Sequence, residues 1–404
     1  MIEKREDIQR DLEPSVDGNR VTFHFDAPEA RMVNVLGTFN HWELTEGVMR
    51  KNEDGIWTRT VEVPLAGCYD YKFLADGQWL LDPRNPDYGR DAKGRYNSRF
   101  QIHTSERARA LLADVDRRLE ANPPGADPGT RREIFEDLDG ILQLPNAPWS
   151  YTLNRHFLRR IRKYGDRVER ETAASVANIY CHGFVLERGL RIGIDVVATR
   201  AVWGVYWDIP DDVYLRLASA LDLLCISHLH PDHFDYHLAS AMVAQGKTVL
   251  VPYEIRERFP SGAVGIRDGE PFEKEGTRVT FRKGIHVYDE RERLVLKIID
   301  IVSGDGFHTV HLSDHDYTRG VDVEPPVDLL LAKTGGISPL VPSFPAFRNL
   351  LLHLEPKRFV TGHLNELGHP VRAGREPYRT GWEIVRENSN YEGMVLHWCE
   401  EWRL

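Results

Sequence analysis

The chain has 404 residues, of which 41 % are hydrophobic and 28 % charged, with a formal net charge of −10. That is the balance of a folded chain long enough for two or three domains, and the acidic excess speaks against broad nucleic-acid binding. No run approaches the roughly 20 apolar residues of a membrane span. The charged start "MIEKREDIQRDLEPS" lacks a signal peptide's apolar core, and the scattered Cys68, Cys181, Cys225 and Cys399 imply reduced thiols in a cytoplasm.

Residues 15–103 read as short strands: "VTFHF", "MVNVLG", "IWTRTVEV" and "YDYKFLA" are alternating, β-branched or aromatic. Turn residues lie between them in "DAPEA", "NEDG", "PLAG" and "ADGQ". The spacing predicts a small antiparallel sandwich. Residues 104–172 change to helical periodicity and form a helical linker. "TSERARALLADVDRRLEA" is followed by "NPPGADPG", after which Thr130 and Glu133 have the spacing of a capping box. Leu153, Phe157, Ile161 and Tyr164 mark a third helix, surrounded by Arg155, Arg159, Arg160, Arg162 and Lys163, which read as a solvated basic face. From residue 173 to the C-terminus, apolar strands such as "LDLLCIS", "KTVLVP" and "VDLLLAK" alternate with helical stretches. Continuous apolar runs are expected of strands covered on both faces, so this part is a layered α/β domain.

One loop of that domain concentrates chemistry. "CISHLHPDHFD" places His228, His230, Asp232 and His233 directly after a buried strand. In extended chain, positions i and i+2 point to one side, so His228 and His230 can reach one cation. After the turn, Asp232 and His233 can reach a second position. Imidazole and carboxylate suit zinc, iron or manganese. Further ligands are offered by His286, Asp314 and His363, each at or just beyond the end of a predicted strand. His311, His315 and Asp316 crowd Asp314, and His369 follows His363.

With these residues, segment 173–404 resembles the metallo-β-lactamase fold, a four-layer αββα architecture. The resemblance implies that Asp195 in "RIGIDVV" is a buried orienting aspartate rather than a ligand. It implies that His228, His230 and His286 hold one metal and Asp232, His233 and His363 a second, with Asp314 bridging. Asp at 314, where many antibiotic-hydrolysing members have Cys, implies a hard bridged pair; His at 230, where flavodiiron proteins have Glu, favours hydrolysis. The spacing and "VDLLLAKTGG" are most similar to the branch with ascorbate-6-phosphate lactonase. Expected cofactors are two divalent ions: zinc, or iron or manganese. Such a pair acidifies water for attack on an ester, lactone or phosphoester of a small molecule, and Asp232 can also accept its proton. The competing readings are a nuclease of the same fold, a non-catalytic metal-binding scaffold and a one-iron oxidoreductase.

The N-terminal stretch carries "GTFNHW", "G-x-W", "YDYKFLADGQWLLDP" and a closing "NS". It resembles carbohydrate-binding module family 48, an immunoglobulin-like sandwich, and within it the glycogen-binding domain of AMP-activated protein kinase β subunits. The resemblance implies that Trp42 and Trp79 stack on glucose rings of glycogen or another α-glucan, while Lys72 and Asn97 bind hydroxyls. Trp57 is expected to be packing, and Lys93 stands where the family often has an apolar residue.

Overall fold

The computed structural model describes residues 14–404 except 92–93, 104, 199–200, 203–204, 207–208, 288–292, 335–343 and 372–373. Lys93 therefore lies outside the described residues. The chain parts into two compact units: the smaller is built on the N-terminal part up to Asp114 with Leu144–His156, and the larger holds Val115–Gln143 and most of the chain from Phe157 onward.

The smaller unit contains the antiparallel sandwich. Strands Ser15–Asp17, Arg20–Asp26, Ile56–Glu62 and Arg50–Lys51 pair in that order. The opposing sheet runs Val33–Gly37, Gly67–Ala75, Tyr96–Ile102 and Tyr88–Arg90, with Gln78–Leu80 pairing on Gly67–Ala75. Alternation decides what each strand buries: along Gly67–Ala75, Tyr69, Tyr71 and Phe73 point inward and Asp70 and Lys72 outward. The core is aromatic. Phe23 lies 4.9 Å from Tyr71 between ring centroids, and Phe25 lies 4.4 Å from Phe73. Such tilted pairs contribute about 0.5–1.5 kcal/mol each beyond simple burial. Trp57 is buried as expected, and its indole N–H donates to Ala27 O at 2.9 Å.

The larger unit stacks two seven-stranded sheets. The first runs Val264–Ile266, Thr248–Pro252, Leu223–Cys225, Leu190–Ile194, Gly183–Arg188, Ser175–Tyr180 and Glu400–Arg403. The second runs Pro271–Lys274, Thr277–Gly284, Leu296–Val302, His308–His311, Leu329–Lys333, Arg358–Gly362 and Glu392–Val395. Both are mixed. Leu190–Ile194 through Val264–Ile266 pair in parallel, as do His308–His311 through Glu392–Val395. Helices Asp211–Ala220 and Tyr236–Ala244 attend the first sheet, and Phe344–Leu354 and Tyr378–Glu387 the second. Leu223–Cys225 and Leu329–Lys333 are buried at every position, because each is covered on both faces. The four-layer αββα order implied by the resemblance is therefore present.

One local expectation changes. Helix Pro128–Leu142 is capped by Asp127, whose carboxylate accepts from the Thr130 N–H at 2.8 Å, so no Thr130–Glu133 capping box forms. The reason is that Pro128 presets the first helical turn behind an aspartate, starting the helix before Thr130. Arg131 of this helix is fully buried and forks onto Glu400, with both N–O distances 2.8 Å. On helix Tyr151–Arg170, Arg155, Arg159, Arg162 and Lys163 are exposed, as a solvated basic face requires, with surface ion pairs from Lys163 to Glu120 at 2.5 Å and Arg162 to Asp212 at 3.6 Å. The half-buried Arg160 meets Asp116 at 2.6 Å. Among the described residues, no helix is long and apolar enough to cross a membrane.

Candidate metal centre and carbohydrate face

Parallel strands of both sheets, together with the antiparallel Thr277–Gly284, deliver their following loops to one place. Leu223–Cys225 leads into Ser227–Asp235, and a turn closed by His233 N–H and Phe234 N–H on His230 O reverses the chain there. Asp235 ends that loop by capping helix Tyr236–Ala244, accepting from His237 N–H and Leu238 N–H. His286 follows Thr277–Gly284, Asp314 follows His308–His311, and His363 follows Arg358–Gly362.

All seven predicted ligands converge. One group joins His228, His230, His286 and Asp314, and another joins Asp232, His233, Asp314 and His363; within each, the donor atoms lie within 4.8 Å of one another. Asp314 belongs to both. Its Oδ2 lies 3.7 Å from His228 Nε2, 3.3 Å from His286 Nε2 and 3.4 Å from His233 Nε2. Its Oδ1 lies 3.4 Å from His363 Nε2, which is also 3.3 Å from Asp232 Oδ2. His230 is the outermost, 30 % exposed, with Nδ1 4.0 Å from Asp314 Oδ2.

Asp195 is fully buried beneath the cluster and outside both groups around Asp314. It accepts from Ser227 N–H at 2.7 Å and Ser227 Oγ–H at 2.6 Å, and it lies 2.9 Å from His233 Nδ1. Fixing Nδ1 leaves Nε2 of His233 aimed at Asp314 and Asp232. Ser227 Oγ does the same for His228, 2.9 Å from Nδ1, and Ser313 Oγ ties the two together. The crowding neighbours have other partners. His311 Nε2 meets His182 O at 3.0 Å, His315 Nε2 meets Gly320 O at 2.7 Å, and Asp316 caps the turn at Thr318. His369 stacks on His363 with ring centroids 5.6 Å apart.

Electrostatics prepares the donors. Burial pushes His228 far below the ordinary histidine value and His230 down to about 4, so both present neutral lone pairs. Burial opposes ionisation of Asp314, but Lys333, His363 and His233 outweigh it and hold the carboxyl well below its usual range. Asp232 is likewise held ionised by His233 and His363 against its burial. For these four groups they are the protonation states that metal ligation requires. Burial lowers His233 and His363, but Asp314 and Asp232 raise both above the ordinary histidine value, so each has a proton to give up to a cation. Among the described residues, His228 Nε2, Asp232 Oδ1 and Asp314 Oδ1 are buried without a hydrogen-bond partner. Buried acceptors left without donors are expensive unless a cation satisfies them, so this donor set fits a metal pair.

Several neighbours were not legible in advance. Lys333 closes an apolar strand and brings its ammonium to 3.7 Å from Asp314 Oδ1. His182 is fully buried, 4.4 Å from His311 between ring centroids, and a side chain at Gly362 would collide with its ring. Cys181, Asp232 and Glu366 form a further buried group. The one available signal was charge or histidine inside an apolar run.

On the sandwich, Trp42 and Trp79 lie 6.0 Å apart between ring centroids, inclined by 62°. Trp79 pairs across from Leu74 and is half exposed. Tyr71 pairs with Ser98, which puts Lys72 and Asn97 on the adjacent rung and the same outer face. Trp42 is delivered by a built turn: its N–H donates to Gly37 O, and Asn40 Oδ1 accepts from Gly37 N–H. Asn97, in contrast, is buried, with Nδ2 donating to Asp70 Oδ2 at 3.3 Å while Arg99 takes Oδ1 at 2.7 Å.

Similarity to known proteins is in sequence for the N-terminal part and in structure more broadly. Residues 11–84 match the carbohydrate-binding module 48 family, the isoamylase N-terminal domain. The chain is 23 % identical over 121 residues to the amyloplastic phosphoglucan phosphatase DSP4 of Castanea sativa, covering 30 % of this chain and 32 % of that one. It spans about a third or less of the length of such curated relatives. Among solved structures it is similar to the metallo-β-lactamase fold protein YhfI of Bacillus subtilis, at 15 % identity and a TM-score of 0.39, over 57 % of this chain and 99 % of that one. It is also similar to CmlA, a diiron β-hydroxylase of Streptomyces venezuelae, at 14 % identity and a TM-score of 0.42, over 94 % and 76 % of the two chains.

Proposed function

We propose that residues 173–404 form a hydrolase working with two divalent cations on an ester, lactone or phosphoester, that residues 15–103 tether it to glycogen or a related α-glucan, and that residues 104–172 link the two. The observation carrying the catalytic half is that one carboxylate, Asp314, is shared between two groups of donors drawn from four loops.

In this reading His228, His230 and His286 hold one cation, Asp232, His233 and His363 the other, and Asp314 both. When bound, the pair supplies an acidified water nucleophile and Lewis-acid stabilisation of developing negative charge; zinc is the first candidate, iron or manganese the alternatives. The chain's own groups do the rest. Asp232 turns Oδ2 toward His363 and, as well as serving as a ligand, is the carboxylate placed to accept a proton from water. Asp195 and Ser227 lock the tautomers of His233 and His228 through Nδ1. The partial exposure of His230 provides the way in for substrate.

The glucan half rests on the family match, on the Trp42–Trp79 ring contact, and on Trp79 lying opposite Leu74, which shares its outer face with Lys72. Flat indoles suit the apolar faces of pyranose rings, and Lys72 suits their hydroxyls. Asn97 contributes to that face only by moving off Asp70.

The test is metal analysis of purified full-length protein beside a panel of lactone, carboxyl-ester and phosphoester substrates. Two divalent ions per chain, with hydrolysis lost on chelation and restored by metal, is the expected result. Full hydrolysis by stripped protein sinks the reading.

A further inference from the structure

We infer that Lys333 makes the centre selective for a substrate whose scissile group is itself anionic, a phosphoester. The inference deepens the two-cation reading and rests on it. Lys333 is the last residue of a strand buried at every position, and its side chain is 8 % exposed. Among the described residues its one ion pair is with Asp314 Oδ1, at 3.7 Å. It approaches from the side of Asp314 where His363 stands, whereas His228 and His286 approach Oδ2.

A lysine ammonium away from water is costly unless charge or hydrogen bonds compensate it. Beside two divalent cations, Asp314 alone cannot provide that compensation. With Asp195 behind His233 counted beside Asp232 and Asp314, the cations are in excess by one charge, and Lys333 raises the excess to two. A neutral lactone or carboxyl ester leaves this excess standing. A phosphoryl dianion removes it, and a lysine is a suitable point charge for phosphate oxygens. Lys333 therefore works against metal binding until an anion joins the site and works for it afterwards. Linkage then makes phosphate and metal reinforce one another.

The experiment uses full-length protein loaded with zinc and freed of excess metal, with inorganic phosphate titrated calorimetrically into wild type, Lys333→Gln and Lys333→Arg. Metal content is measured on each sample. Wild type should bind phosphate, Lys333→Gln should bind it at least about tenfold more weakly at unchanged metal content, and Lys333→Arg should largely retain it. Equal phosphate affinity in wild type and Lys333→Gln overturns the inference. So does loss of metal from Lys333→Gln with Lys333→Arg still loaded, because Lys333 is then a support for the ligands. A wild-type protein that takes up no metal overturns the underlying two-cation reading, and metal analysis reports that separately.

Discussion

The aromatic face and the histidine cluster solve the problem of presenting chemistry in different ways. On the sandwich, Lys72 projects from Gly67–Ala75, whose opposite face builds a core of Tyr69, Tyr71 and Phe73, and Trp79 projects from the exposed strand Gln78–Leu80 paired with it. At the cluster every candidate ligand sits in a loop past a strand end, and five of the seven are buried. His363, Asp195 and Ser313 there adopt positive φ, at 60°, 49° and 50°. Left-handed backbone at a non-glycine residue costs on the order of 1–3 kcal/mol and persists only where the surroundings impose it. The sandwich uses the same device at His41 and Trp42, and at Asp76 in the turn before Gln78–Leu80. A binding face can thus be set by alternation within single strands, whereas a buried polar centre needs several chain-distant turns held together by Asp195 and its serines.

The contrast can be broken by substitutions confined to one region. The largest effect is expected from Asp314→Ala, which removes the carboxylate common to both groups. Hydrolysis should fall by at least about a thousandfold with loss of metal, while retardation in glycogen-containing gels stays as in wild type. Asp195→Asn should keep the fold but replace an acceptor with a group that cannot serve both Ser227 and His233. A drop of about 10- to 100-fold in metal affinity or turnover is expected, measured by competition with a chelator. Trp42→Ala with Trp79→Ala should do the converse. Glycogen affinity should weaken about thirtyfold at roughly 1 kcal/mol per ring, and hydrolysis of a small soluble substrate should not change.

The smallest effect concerns pH, at a pair on the second sheet. The hydrogen bond to Asp300, at 2.9 Å, raises His308 above the ordinary histidine value despite its burial. Burial alone would raise Asp300, but His308 and Arg282 pull it below the usual range. The His308 contribution is complete below the unfolded value near 6.5 and fades as pH rises through the higher folded value. The Asp300 contribution persists above about pH 4 and is lost on acidification through its lowered folded value. His308→Gln should therefore cost more thermal stability at pH 6 than at pH 8. An equal cost at both would remove the pair from the account.

How much was legible follows from the same contrast. Strand alternation in "YDYKFLA" and the apolar runs "LDLLC" and "VDLLLAK" fix local structure, and the structure forms strands at each. His228, His230, Asp232 and His233 could be read together because they are close in the chain. His286, Asp314 and His363 could be placed because each follows a strand in a layered fold. Asn97 could not be read, since its engagement with Asp70 depends on cross-strand register. Lys333 was hidden because a lysine ending an apolar strand is usually a solvated tip, and only the packed sheets bring it to Asp314. The start of helix Pro128–Leu142 was misplaced because Asp127 and Pro128 compete successfully with the later Thr130.

The most direct measurement is a zinc titration of chelator-stripped wild type against Asp314→Ala, with bound metal counted per chain. The account predicts two ions on wild type and a joint loss in the variant, because one carboxylate serves both positions. Two ions retained after removal of Asp314, or none bound by wild type, would contradict it.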